Sequence, residues 1–215
     1  MAENSNLSIS KKSWRKYLHN SKYLIEFIIT LILLIGILIF FSHFIDTIEA
    51  RNGIQLNDPI LKLFAPINLS VLIFGIIYLS ILIGIISLFN DPPQLIFALQ
   101  VYVIMLAVRI VTLYLTPLNA PANMIPLIDP VVQNFGTGQL LTKDLFFSGH
   151  TATMFLLFLV MNNKKLKIIF FILFILVAAA VLIQHVHYSI DVVAAPFFTY
   201  AAYRIVLLFK EKYLL

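Results

Sequence analysis

The sequence predicts an all-α polytopic membrane protein with six transmembrane helices and both termini cytoplasmic. Three observations carry this. Hydrophobic residues make up 61% of the 215 residues and charged residues 12%, about half the charged share of a soluble domain. The apolar residues fall into six runs, most of them close to the roughly 20 residues that cross a bilayer as a helix. Lys and Arg gather in alternate connecting segments rather than evenly along the chain.

In order, the runs are 24–45, 67–89, 94–116, 146–161, 166–184 and 188–209. The first is longer than a signal-peptide core and lacks a small-residue cleavage site, so it reads as a retained span. Before it, residues 1–23 form a basic cytoplasmic segment. It carries Lys11, Lys12, Arg15, Lys16 and Lys22 among Trp14, Tyr17 and Tyr23, the pattern of a disordered start and a short interfacial helix. Residues 24–215 form one membrane domain. Asn90-Asp91-Pro92-Pro93 reads as a tight turn, because a proline pair cannot continue a helix. Asn162-Asn163-Lys164-Lys165 reads as a second turn. The fourth run is short and is expected to reach back toward Thr142. A polar hinge near Gln184 to His187 must divide the last two.

With the N-terminus inside, the inside segments hold Lys11, Lys12, Arg15, Lys16, Lys22, Lys164, Lys165, Lys167, Lys210 and Lys212. The outside segments hold Arg51, Lys62 and Lys143. This is the asymmetry of the positive-inside rule. The net charge of +5 therefore points to anionic lipid headgroups, not to nucleic acid. No cysteine is present, which removes disulfides, thiolate nucleophiles and cysteine-ligated metals. His43 and Asp46 at a helix end are too ordinary a pair to indicate a metal, and Arg204 can snorkel to the inner surface.

Two motifs fall on the outer half of this topology. Ser148-Gly149-His150-Thr151 opens the fourth run, and His187-Tyr188-Ser189-Ile190-Asp191 opens the sixth. Arg109 lies toward the outer end of the third. Ionisable residues at membrane depth are costly and are retained mainly for function. His187 and Asp191 are four apart, on one helical face, where a carboxylate fixes an imidazole tautomer; the same spacing also arises where two groups merely satisfy each other. Ser148-Gly149 ahead of a helix leaves backbone N–H groups for an anion, and His150 there could protonate a leaving oxygen. A capping serine beside an interfacial histidine is the plainer alternative. His185 is a secondary candidate for contact with substrate. Residues 117–145, with Pro117, Pro121, Pro126, Pro130, Gly136 and Gly138, form a long loop expected to act as a lid or headgroup-selecting cap.

Together the motifs resemble the active-site signatures of the type-2 phosphatidic acid phosphatase superfamily, most closely its sphingomyelin synthase branch. Asp144-Leu145-Phe146-Phe147-Ser148-Gly149-His150-Thr151 is similar to that branch's Gly-Asp-x-x-x-Ser-Gly-His-Thr block, with Lys143 where a glycine is expected. His187-Tyr188-Ser189-Ile190-Asp191-Val192 matches its His-Tyr-x-x-Asp-Val block. Arg109-Ile110-Val111-Thr112, followed by Thr116-Pro117, resembles its Arg-x-x-Thr block. The Lys-x6-Arg-Pro block of the phosphatases proper is missing, as is their arginine before the second histidine.

The resemblance implies phosphotransfer through a phosphohistidine without metal or other cofactor. His187 would be the nucleophile, Asp191 its orienting carboxylate and His150 the acid and base. Exchanging the two histidines' roles is also open. Arg109, Ser148, Gly149, Asp144 and Tyr188 would bind substrate, with Arg109 the phosphate-binding cation. The partners implied are a phospholipid donor and a lipid-hydroxyl or water acceptor. Transfer and hydrolysis use the same groups, so a lipid phosphatase or phospholipase C is the alternative, and a noncatalytic protein or transporter a third. The short N-terminal segment suggests a minimal bacterial type in the plasma membrane, with its site extracytoplasmic.

Overall fold

The computed structural model describes residues 14–128 and 140–213. Among the described residues the seven α-helices are α1 Trp14–His19, α2 Ser21–Ala50, α3 Ser70–Phe89, α4 Pro92–Leu115, α5 Gly149–Val160, α6 Lys164–Ile183 and α7 Ser189–Tyr213, with one 3-10 turn at Leu61–Leu63. Extended pairing among the described residues is limited to a bridge between Ile54 and Leu118. Five helices, α2, α3, α4, α6 and α7, are long and apolar enough to cross a membrane. These mark an integral membrane protein.

The fourth expected span differs. Helix α5 has 12 residues, about 18 Å at 1.5 Å per residue, against about 30 Å of hydrocarbon. It does not extend back to Thr142: Ser148 caps it, its hydroxyl accepting from the Thr151 N–H, and residues 140–148 are non-helical. Sequence alone suggested a longer helix because Leu145, Phe146 and Phe147 are as apolar as the helix they precede. The reach of α2 to Ala50 also exceeds its apolar run. Asp46 and Glu49 continue the helix because the packing of Ile45 and Ile48 on Leu113 holds the last turns.

Other boundaries follow local chemistry. The Asn20 side chain accepts from Lys22 N–H to start α2, and that of Asn163 accepts from Lys165 and Leu166 to start α6, as capping residues do. Pro92 and Pro93 occupy the first positions of α4, where no amide proton is needed; the turn itself is Asn90-Asp91. Helix α6 ends with His185 at φ 58°. There His185 N–H donates to Leu182 and Val186 N–H to Val181, a closure that usually uses glycine.

Helices α4, α5, α6 and α7 enclose the core, with Val101, Phe147, Ala152, Met154, Val160, Val177, Val181, Ala195 and Ala202 buried. Small residues let the backbones approach, as in membrane bundles generally. A Cβ at Gly84 of α3 would sit 2.8 Å from the Leu157 side chain of α5. Helix α2 packs on α4 and leaves its other faces exposed, with Ile32 63% accessible, as suits a helix bounded by lipid.

The two ends of the bundle are chemically different. One end carries Arg15, Lys16, Lys22, Lys164, Lys165, Lys167, Lys210 and Lys212; there Trp14 donates to the Phe89 carbonyl at 2.8 Å and Lys210 pairs with Glu26 at 2.9 Å. At the other end lie Arg51, Lys62, Lys143 and both motifs. Gln184, fully buried, ties this second end together. Its carbonyl accepts from Leu69 N–H at 2.8 Å, and its amide donates to Ser70 Oγ at 2.9 Å and to the Ile125 carbonyl at 3.1 Å. Replacing it with leucine leaves several buried partners unmet. Gln184→Leu should therefore cost about 2–3 kcal/mol, read as a lower thermal midpoint of the detergent-solubilised protein.

Candidate active site

The site begins at the N-terminus of α5, whose 12 helical residues are shorter than a full span. Residues 145–148 run without helical hydrogen bonds while Leu145, Phe147 and Ser148 are almost fully buried. Unmet backbone groups inside a membrane protein cost several kcal/mol each. Arg109 of α4 meets them. Its Nε donates to the Phe147 carbonyl at 2.8 Å, while Nη2 lies 3.5 Å from the Asp144 carbonyl and 2.8 Å from the Asp144 carboxylate. One turn on, Thr112 Oγ1 donates to the Arg109 carbonyl at 3.0 Å and lies 3.4 Å from that of Phe146. Arg109 is 4% exposed, and the carboxylate balances its charge.

Gly149 is required by this contact. A Cβ there would meet Arg109 Cζ at 2.8 Å and Nη1 at 2.9 Å, so only glycine lets the helix start lie on the guanidinium. From the next position His150 projects to an edge-on contact with Phe74, 5.9 Å between centroids, and to His187, 5.8 Å between centroids with the rings tilted by 60°. Asp191 Oδ2 lies 3.6 Å from His187 Nδ1. That is ion-pair range and longer than a hydrogen bond. Both side chains are fully buried. Asp191 Oδ2 accepts from Tyr188 N–H at 2.9 Å, and Ser148 N–H donates to the Asp191 backbone carbonyl at 3.1 Å. That last bond joins the two motifs directly.

The second motif is held from outside by a loop residue, Asp58. Its Oδ2 accepts from the backbone N–H and the hydroxyl of Ser189 at 2.6 and 2.8 Å, and its Oδ1 from Ile60 N–H at 2.9 Å. Burial alone would raise this carboxyl, but bonds from Ser189, Ile60 and Leu61 outweigh it and hold it below its ordinary value. Burial pushes the Tyr188 phenol up, so it stays a hydroxyl, donating to the Asn119 carbonyl at 2.9 Å and accepting from Leu56 N–H at 3.1 Å.

His150, His187 and Asp191 thus come together, with Ser148 and Gly149 beneath them. Arg109 and Asp144 sit behind the turn and face each other, and Tyr188 faces the loops. Sequence reading missed three residues that shape the site. Glu49 accepts from Thr142 and Lys143 backbone N–H at 2.7 and 2.6 Å, while the Lys143 ammonium donates to the Arg51 carbonyl; this fixes the segment where Lys143 replaces the expected glycine. Gln184 and Asp58 are the others. A carboxylate at the end of an apolar run was the available signal for Glu49. For the other two only the tertiary contacts reveal a role. The expected lid is pinned along residues 117–128 by Tyr188, Gln184 and Gly53, which accepts from Asn119 Nδ2 at 2.7 Å. Its tip, 129–139, lies outside the described residues, as does the expected disordered start, 1–13. Among the described residues no group of three His, Asp or Glu side chains is arranged to hold a metal.

Residues 143–207 match the family model described as PAP2 superfamily C-terminal. The match supports the type-2 phosphatidic acid phosphatase superfamily and suggests a membrane enzyme of the lipid-phosphatase type. It takes in both histidine motifs and most of α7, under a third of the chain, and leaves out Arg109 and α1–α4. Comparison with curated proteins and with solved structures gave no match.

Asp58 gives a pH prediction. Its folded value lies below the unfolded carboxylate value of about 3.9. Its contribution to stability is therefore present above that value and lost as pH falls through the lower folded one. The thermal midpoint of Asp58→Asn should lie below that of the native protein at neutral pH. The gap should narrow in acid, measured by melting both proteins between neutral and strongly acidic pH.

Proposed function

We propose that the protein is an integral-membrane lipid phosphotransferase, similar to the sphingomyelin synthases, that moves a phospho-alcohol headgroup from a phospholipid to a lipid hydroxyl. The observation that carries this reading is the convergence of His150 and His187, rings 5.8 Å apart, from separate motifs bonded to each other through Ser148 and Asp191.

In this reading His187 holds its proton on Nδ1, toward Asp191, and attacks phosphorus with the Nε2 lone pair. The His–Asp separation shortens as imidazolium charge develops, since catalytic hydrogen bonds tighten in the substrate complex. The bond from phosphorus to the lipid oxygen breaks, and the electron pair leaves with that oxygen, which His150 protonates. His150 then takes the proton from the acceptor hydroxyl. The resulting oxygen attacks phosphorus, and the phosphorus–nitrogen bond breaks to free His187. Backbone N–H groups at the start of α5 face the phosphoryl oxygens. Arg109 is given a positioning role through Nε and Nη2, which are committed to Phe147 and Asp144; its Nη1, next to Gly149, and its positive charge favour a phosphate above the turn. The other end of the bundle carries most of the cations, so the positive-inside rule supports cytoplasmic termini and an extracytoplasmic site.

Hydrolysis is the second reading, favoured by the PAP2 superfamily match. Headgroup-labelled phospholipid given to purified protein, with and without ceramide or diacylglycerol, separates the two. A new labelled lipid means transfer, and water-soluble label alone means hydrolysis. His187→Ala and His150→Ala should each lower the rate by about three orders of magnitude or more, as loss of triad members does elsewhere. Unchanged turnover in both would remove the enzyme reading.

A further inference from the structure

A cavity of about 660 Å³ opens beside the histidine motif, between the loop from Gln55 to Pro66 and the segment Pro121–Asn123. Its volume suits a small ligand. Buried His185, Tyr188, Asp58 and Leu61 form its floor, and exposed Lys62 and Asn57 lie on its rim. We propose that this cavity is a headgroup pocket that selects phospholipids whose headgroup alcohol carries an N–H or O–H donor, read by Nε2 of His185. The inference rests on the lipid-enzyme reading above and names the substrate class of that site.

The His185 side chain carries the argument. The residue is 3% exposed. Its Nδ1 lies 3.4 Å from the Ala122 carbonyl. A carbonyl can only accept, so we assign the ring proton to Nδ1. That leaves Nε2 with a lone pair, and Nε2 is buried with no hydrogen-bond partner in the protein. A polar atom left so is costly unless a ligand or solvent completes it. The Phe64 ring packs against the imidazole in a T-shaped contact, 5.4 Å between centroids, and restrains its plane. The backbone holds the residue at φ 58°, where glycine would be the unstrained choice.

Other acceptors near the floor are occupied. Both Asp58 oxygens already receive two donors each, and the Tyr188 hydroxyl already donates and accepts. Lys62 at the rim offers a cation to a phosphate. His185 and His187 are two residues apart, so their Cα atoms are within about 7.6 Å; His187 lies buried behind the cavity wall rather than in its lining. An ethanolamine or glycerol headgroup can donate to Nε2. A trimethylammonium headgroup has no hydrogen to give.

The test uses the full detergent-solubilised chain carrying His187→Ala, or His187→Gln should that variant fold poorly. Calorimetry measures binding of dioctanoyl phosphatidylethanolamine, its N,N-dimethyl form, phosphatidylglycerol and phosphatidylcholine. The first three are expected to bind within a few fold of one another. Phosphatidylcholine should bind about tenfold more weakly, equivalent to about 1.4 kcal/mol for one lost hydrogen bond. Adding His185→Gly, which relaxes the backbone while removing the ring, should level the four; His185→Asn, also tolerated at positive φ, should do the same. Equal binding of phosphatidylcholine, a preference that survives His185→Gly, or no binding of any of the four overturns the proposal. Labelled-lipid turnover by the native protein is read in parallel. A headgroup preference without turnover upholds the pocket and removes the enzyme reading. Turnover without a preference removes the pocket alone.

Discussion

A helix that starts inside the bundle leaves backbone groups with no helical partner, and here one arginine takes up that burden. Arg109 accommodates the Phe147 and Asp144 carbonyls, pairs with the Asp144 carboxylate and forms the surface on which Gly149 lies. In lipid such groups have no water to turn to. Without this contact the Ser-Gly-His turn has no fixed height, and the ring of His150 has no fixed neighbour. The short α5 is thus the device that brings a helix N-terminus to the same level as the second histidine.

The two motifs are one structural unit. Ser148 caps α5 with its hydroxyl and donates its own amide to the Asp191 carbonyl. Asp191 in turn accepts from the Tyr188 amide, closing the first turn of α7 around His187. A shift of either segment moves both imidazoles. Such cross-bonding fixes the mutual placement on which the proposed proton transfer and nucleophilic attack depend.

Loops supply the outer frame. Asp58 gathers Ser189 and the turn at Ile60, Glu49 gathers Thr142 and Lys143, and Gln184 gathers α3 with the segment before residue 129. Each is a side chain completing backbone amides or carbonyls that neither helix nor sheet completes. This end is therefore ordered by polar bonds, whereas the middle of the bundle is held by apolar contact among large side chains and interspersed alanines. The cavity beside His185 lies within the polar frame, where a ligand's own hydrogen bonds can be matched.

The sequence by itself determined the membrane class and the number of apolar runs, and it singled out His150, His187 and Asp191 as the residues whose side chains the structure brings together. Apolar periodicity and the rarity of charge in such runs are local properties, readable without coordinates. It did not determine where α5 begins, because Phe146 and Phe147 read the same in a span and in a buried extended turn. Nor did it give Arg109 its partners, Glu49 and Gln184 their tasks, or His185 its buried, unpartnered nitrogen. Those depend on which backbone groups are left unmet after the helices pack, and that is known only once distant segments are brought together.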